Sequence, residues 1–100
     1  MIDWIRVKGF DWDAGNSRKS TEKHAVSQAE AEQAFFNDPL LVLEDQMHSG
    51  AEPRLHALGC TDDGRILHIS FTLRAKGILL RVISARDMSL KERKVHAEET

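Results

Sequence analysis

Polar and apolar residues alternate most regularly over Arg65–Leu73. Leu67, Ile69, Phe71 and Leu73 fall on one side and His68, Ser70 and Thr72 on the other, the period-two pattern of a strand with one buried face. Its neighbours read as partners: Leu40–Leu43 is a short, wholly apolar strand, Arg54–Cys60 a second and Ile78–Ala85 a third. Residues 5–10 fit a further short strand, with Trp4, Phe10 and Trp12 as apolar anchors. Thr61-Asp62-Asp63-Gly64 predicts a hairpin turn with Gly64 at positive φ, Arg74-Ala75-Lys76-Gly77 predicts another, and Asp45–Pro53 reads as a polar loop. Ser27-Gln28-Ala29-Glu30 and Ser89-Leu90-Lys91-Glu92 are capping boxes that open helices over about 28–36 and 90–97. Asn37-Asp38-Pro39 closes the first of these. Ala14–His24 reads as a poor helix: Gly15, Asn16, Ser17, Ser20 and Thr21 lower its propensity, so tertiary packing must hold it. Four consecutive strands on short turns form an antiparallel meander, and helices with apolar sides must pack on it. The fold class is therefore α+β, in two layers.

Register follows from keeping apolar residues together. With Gly64 in a bulge position, Gly59 faces Leu67, Ala57 faces Ile69, Leu55 faces Phe71 and His56 faces Ser70, while Arg54 faces Thr72. With Ala75-Lys76 as a two-residue loop, Leu80 and Val82 face Phe71 and Ile69, and Arg81 faces Ser70. The result is a polar patch of Arg54, His56, Ser70, Thr72 and Arg81. An arginine inside an apolar strand, as in Leu80-Arg81-Val82-Ile83, needs a reason. Guanidinium groups bind phosphate oxygens through forked, charge-assisted hydrogen bonds and offset the charge that develops during attack on phosphorus. A histidine beside them moves protons near neutral pH. The other reading is a solvated sheet face laced by arginine–glutamate pairs.

Composition narrows the class. One hundred residues, 41% hydrophobic and 30% charged, amount to about one ordinary globular domain, spanning 1–100. The net charge of −2 disfavours a protein that coats nucleic acid by charge alone. The charge is uneven, however: Arg81, Arg86, Lys91, Arg93 and Lys94 crowd the last quarter. Cys60 is the one cysteine, so no disulfide forms within the chain, which favours a reducing compartment. Neither a signal peptide nor an apolar run of about 18 residues is present, and a cytoplasmic location is the expectation. His24, His48, His56, His68 and His96 lack the spacing of a metal site, so neither a metal nor a cofactor is expected.

Several motifs in order resemble a known family. Phe10-Asp11-Trp12-Asp13, Asn16, Lys23-His24-Ala25-Val26-Ser27 and Phe36-Asn37-Asp38-Pro39 in the first half, then His48-Ser49, Glu52, Arg54, Gly64-Arg65, Thr72, Arg81-Val82-Ile83-Ser84-Ala85-Arg86 and Glu92-Arg93, resemble the BrnT toxins of type II toxin–antitoxin systems over about residues 9–96. The resemblance implies a RelE-like fold and a growth-arresting, metal-independent endoribonuclease, in which the ribose 2′-hydroxyl attacks the adjacent phosphate and the 5′-oxygen leaves. It also implies a BrnA-like antitoxin with a ribbon-helix-helix domain, a heterotetramer with it, and operator DNA touched only through that partner. The sequence departs from the pattern at Ala25, where a glycine is usual, at Glu52-Pro53-Arg54, and at His96, where an aromatic residue is usual; it has no tyrosine.

On that reading Arg54 and Arg81 meet the phosphate; the alternative is pairing with Glu52 or Glu92. His48 is a base or acid, or an exposed loop histidine. His56 has the better position for proton transfer. Glu52 is a base or the partner of Arg54. Lys23, His24, Thr72 and Arg86 are candidate RNA contacts. Against this, Lys23 and His24 suit the end of a helix dipole, and Arg86 suits a structural anchor bonding carbonyls or Asp87. The competing function is a catalytically weakened homologue that acts as a protein-binding module or co-repressor.

Overall fold

The computed structural model describes residues 3–45, 47 and 52–98. The elements are β1 (Gly9–Phe10), α1 (Ala14–His24), α2 (Gln28–Phe36), β2 (Leu41–Asp45), β3 (Arg54–Cys60), β4 (Ile66–Arg74), β5 (Leu79–Asp87) and α3 (Leu90–Glu98). This is the expected α+β architecture, helices packed on a sheet, with strand order β1-β5-β4-β3-β2. β2 to β5 are the antiparallel meander, while β1 runs parallel to β5. The first strand is shorter than residues 5–10. Its front part turns instead, with the Arg6 and Val7 amides donating to the carbonyls of Asp3 and Trp4.

One sheet face is the core. Leu55, Ala57, Leu67, Ile69, Phe71, Leu80, Val82 and Ala85 meet Ala31 and Ala34 of α2 and Val26 ahead of it. Phe35 links the layers, its ring 5.1 Å from Phe71 and 5.8 Å from Phe10 between centroids, and such aromatic pairs add to the burial itself. α2 begins as its capping box dictates: Ser27 Oγ accepts from the Glu30 amide at 3.1 Å, and Glu30 accepts from the Ser27 amide at 3.1 Å. Gly59 lets α2 approach, because a Cβ there would stand 2.7 Å from the Ala34 carbonyl oxygen.

α1 is held by polar side chains. Asn16 Nδ2 donates to the Val82 carbonyl at 2.9 Å, and Ser20 Oγ accepts from the Ala85 amide at 2.8 Å. Both residues are buried. They satisfy the β5 backbone beyond the reach of the two-residue β1, so the residues that make α1 a poor isolated helix are those that close the sheet. The helix is also capped at its start, where Asp13 and Asn16 form a reciprocal box.

The register of β3 on β4 is as expected, with Leu55 opposite Phe71, His56 opposite Ser70 and Gly59 opposite Leu67. The register of β4 on β5 differs. Phe71 faces Val82, Thr72 faces Arg81 and Leu73 faces Leu80, so Arg81 lies two residues further along β4 than the position opposite Ser70. Ala75 and Lys76 do take positive φ (52° and 59°), but Gly77 follows at 89°, and pairing resumes only at Arg74–Leu79. A displacement of two residues leaves every side chain on its own face, so alternation alone does not exclude it. A bulge between Ser70 and Phe71, with Ile83 as the extra residue, then shifts the pairing by one more, setting Ser84 opposite Ser70 and Ala85 opposite Ile69.

Arg65 joins the layers. Its guanidinium donates to Asp87 Oδ1 (2.7 Å) and Oδ2 (3.1 Å), to Glu30 Oε2 (3.1 Å), and to the carbonyls of Ala25 (2.8 Å) and His24 (3.1 Å). These acceptors raise the Arg65 pKa, led by the Asp87 bond.

Two stability measurements test this packing. Gly59→Ala is expected to lower unfolding free energy by about 1–3 kcal/mol, since backbone must move. Arg65→Lys, which keeps the charge and loses the fork, is expected to lower it by about 1–3 kcal/mol after allowing for partial exposure. Urea titration reads both, and a midpoint unchanged in either variant contradicts the role given to that residue.

Candidate active site on the polar sheet face

The second face of the sheet carries the side chains of chemical interest. His56 stands between two partners: Nε2 lies 2.8 Å from Asp45 Oδ2, and Nδ1 lies 3.0 Å from Ser70 Oγ. Against an ionised carboxylate, which only accepts, Nε2 carries the hydrogen. In the neutral ring Nδ1 then accepts from the Ser70 hydroxyl. The His68 ring stacks against His56, with centroids 4.9 Å apart and an angle of 35°. Ser70 is 9% exposed, so both ring nitrogens of His56 are engaged within the sheet.

Arg54, two residues before His56 on the same face, is the cross-strand partner of Asp45. Thr72 comes next to Ser70 on this face, and its hydroxyl donates to the Pro53 carbonyl. Arg81, opposite Thr72, pairs with neither Glu52 nor Glu92. Its guanidinium lies 2.8 Å from Asp13 Oδ2 and 3.5 Å from Asp11 Oδ1. Asp13 thus serves twice, one oxygen capping α1 through the Asn16 amide and the other holding Arg81. The amide bond and Arg81 together keep its carboxyl below the usual range.

Arg86 is bound bidentately by Glu92, at 2.8 and 2.9 Å, and also donates to the Asp87 carbonyl at 3.1 Å. Glu92 accepts from the Ser89 amide at 2.8 Å, completing the second capping box, and lies 3.6 Å from His68 Nε2. The Arg86 bond, helped by the Ser89 amide and opposed by burial, brings the Glu92 pKa down to about 2. Burial pushes His68 below its ordinary value, and Glu92 opposes that shift. α3 is consequently moored over this second face rather than over the core face, and its far end is tied by His96 Nε2 to the Pro39 carbonyl at 3.0 Å.

Arg54, His56, Ser70, Thr72 and Arg81 therefore share one face, as the alternation predicted. Glu52 pairs with Arg74 at 3.1 Å. His48 lies outside the described residues. Lys23 and His24 end α1, where the His24 carbonyl meets Arg65 beside Asp87, about 20 Å along β5 from Arg81 at strand rise. Asp45, Asp11 and Asp13 were not anticipated. Asp45 falls two residues beyond the apolar run that marked β2, and the other two reach Arg81 through the parallel pairing of β1. Among the described residues no group of three or more histidine, cysteine or acidic side chains is placed to hold a metal ion. No helix there is long and apolar enough to cross a membrane.

A meander with one greasy face, and with imidazole and guanidinium groups on the other, defines a class of small α+β proteins suited to phosphodiester chemistry. The family model described as ribonuclease toxin, BrnT, of type II toxin–antitoxin system matches residues 12–92, and the chain belongs to that family. Membership implies an antitoxin protein as partner. No curated protein matches the sequence.

The Glu92 pairing carries a pH signature. A carboxyl with its folded pKa depressed to about 2, against 4.5 ordinarily, contributes stability above about pH 4.5 that is lost as pH falls towards 2. Glu92→Gln is expected to remove on the order of 2–3 kcal/mol near pH 7, discounted for partial exposure, and to flatten stability below pH 5. Denaturation across pH 2–7 checks this; parallel curves for the two proteins would contradict it.

Proposed function

We propose that the chain is a metal-independent endoribonuclease toxin that cleaves RNA by attack of the 2′-hydroxyl on the adjacent phosphate. The observation that carries this reading is His56, held between Asp45 and Ser70 on the polar face beside Arg54. Proton transfer from the attacking hydroxyl needs a base fixed in orientation, and Asp45 supplies the orientation. Arg54 and Arg81 are the groups we assign to the phosphate, with Thr72 beside them. The same residues serve the leaving step, since charge on the phosphoryl oxygens persists until the 5′-oxygen departs. The donor sets on this face, two histidines and separated carboxylates, support chemistry without a metal.

The partner on this reading is a BrnA-like antitoxin with a ribbon-helix-helix domain, forming a heterotetramer through which the pair meets operator DNA. One observation favours a second reading, a protein-binding module or co-repressor of weak activity. Arg81 and Arg86 are both already paired with carboxylates, so a phosphate competes with Asp13 and Asp11 for Arg81.

Induction without the antitoxin is expected to arrest growth, and purified protein is expected to cleave single-stranded RNA in excess chelator. His56→Ala is expected to slow cleavage by about 100-fold or more, Asp45→Asn by less, and Arg81→Ala to relieve growth arrest. Wild-type protein that binds its antitoxin yet neither arrests growth nor cleaves RNA establishes the second reading instead.

A further inference from the structure

The mooring of α3 leaves a cleft of about 280 Å³ between the helix and the sheet. Leu58 and Val95 give it apolar walls, the rings of His56 and His68 form one side, and Leu43 stands at its mouth on β2. We propose that this cleft receives one nucleobase of single-stranded RNA, stacked on the His68 and His56 imidazoles. The inference rests on the ribonuclease reading, because His56 is shared between the cleft and the reacting face.

The lining decides the ligand class. A cleft with mostly apolar walls and a few polar groups takes a flat, largely apolar body with polar edges, and single-stranded RNA is read by stacking unpaired bases on aromatic and imidazole rings. Free phosphate gains nothing from Leu58 and Val95. Burial favours the neutral form of His68, which preserves a π face for stacking. The carboxylate in the wall, Glu92, is already neutralised by Arg86 and the Ser89 amide, so it does not repel a polyanion. Lys91, exposed at the cleft, is a cation for the phosphate beside the bound base.

The cleft is preformed. Glu92 pins the first turn of α3 and His96 its last, at the Pro39 carbonyl, so binding need not order the helix. A base seated here places its own sugar and phosphate beside Asp45, Ser70 and His56, and the cleft then selects the nucleotide next to the scissile bond.

The test is imidazole proton NMR of the full chain, titrated with each of the four nucleoside 5′-monophosphates and, separately, with inorganic phosphate. At least one nucleotide is expected to shift the His68 and His56 signals saturably at millimolar concentration, with phosphate alone leaving that of His68 in place. His68→Phe is expected to keep binding within about threefold, and His68→Ala to weaken it at least tenfold. Leu43 is 46% exposed, so Leu43→Trp fills the mouth without disturbing the core and is expected to abolish the shifts. The proposal is overturned if no nucleotide moves the signals, if phosphate alone reproduces the His68 shift, or if Leu43→Trp binds as wild type does. Mononucleotides are not cleaved, so binding by an inactive protein upholds the cleft while the ribonuclease reading fails. Cleavage by a protein that binds no mononucleotide does the reverse.

Discussion

Arg65 is the point at which three parts of the chain meet. A guanidinium has five donors in a fixed plane, and all five are used: by a carboxylate at the end of β5, by the first turn of α2, and by two carbonyls at the end of α1. The carbonyls are those a helix leaves unsatisfied at its C-terminus. One side chain therefore fixes where α1 stops, how α2 starts and where the sheet ends. Ala25 sits at this junction at φ 53°, a left-handed conformation that costs an alanine more than a glycine, and it is held there by its amide, which donates to the Ser20 and Thr21 carbonyls, and by its carbonyl, which accepts from Arg65.

The electrostatics of the polar face follow from the same economy. Each arginine of β5 is matched to a carboxylate from another element, Arg81 to the entry of α1 and Arg86 to the entry of α3. In both cases the carboxylate also caps a helix. Helix starts and site cations are thus coupled, and a change to either Asp13 or Glu92 acts on both. His56 is tied differently, to Asp45 and Ser70 within the sheet, so its orientation depends on strand register rather than on helix placement.

Much of this was legible in the sequence, and the failures have physical causes. The two serine capping boxes marked α2 and α3 because their chemistry is local. The β3–β4 register was readable because Gly64 fixes the turn and alternation fixes the face. The β4–β5 register was not, since Ala75 and Lys76 adopt left-handed conformations that their side chains do not advertise, and neither residue type nor alternation reveals the bulge after Ser70. The polar face itself survived that error, because a two-residue displacement preserves faces. Asp45 escaped because an acidic residue after an apolar run reads as loop. The pairing of Arg81 with Asp11 and Asp13 escaped because contacts between residues near 12 and 81 have no local signature.

The closure of β5 by Asn16 and Ser20 has a topological consequence. A sheet edge is a template on which another chain can add, and here one edge is spent: β1 covers part of β5 and a helix, through side chains, covers more. The other terminal strand of the described sheet is β2, and a strand added there would lie beside the carboxylate that holds His56.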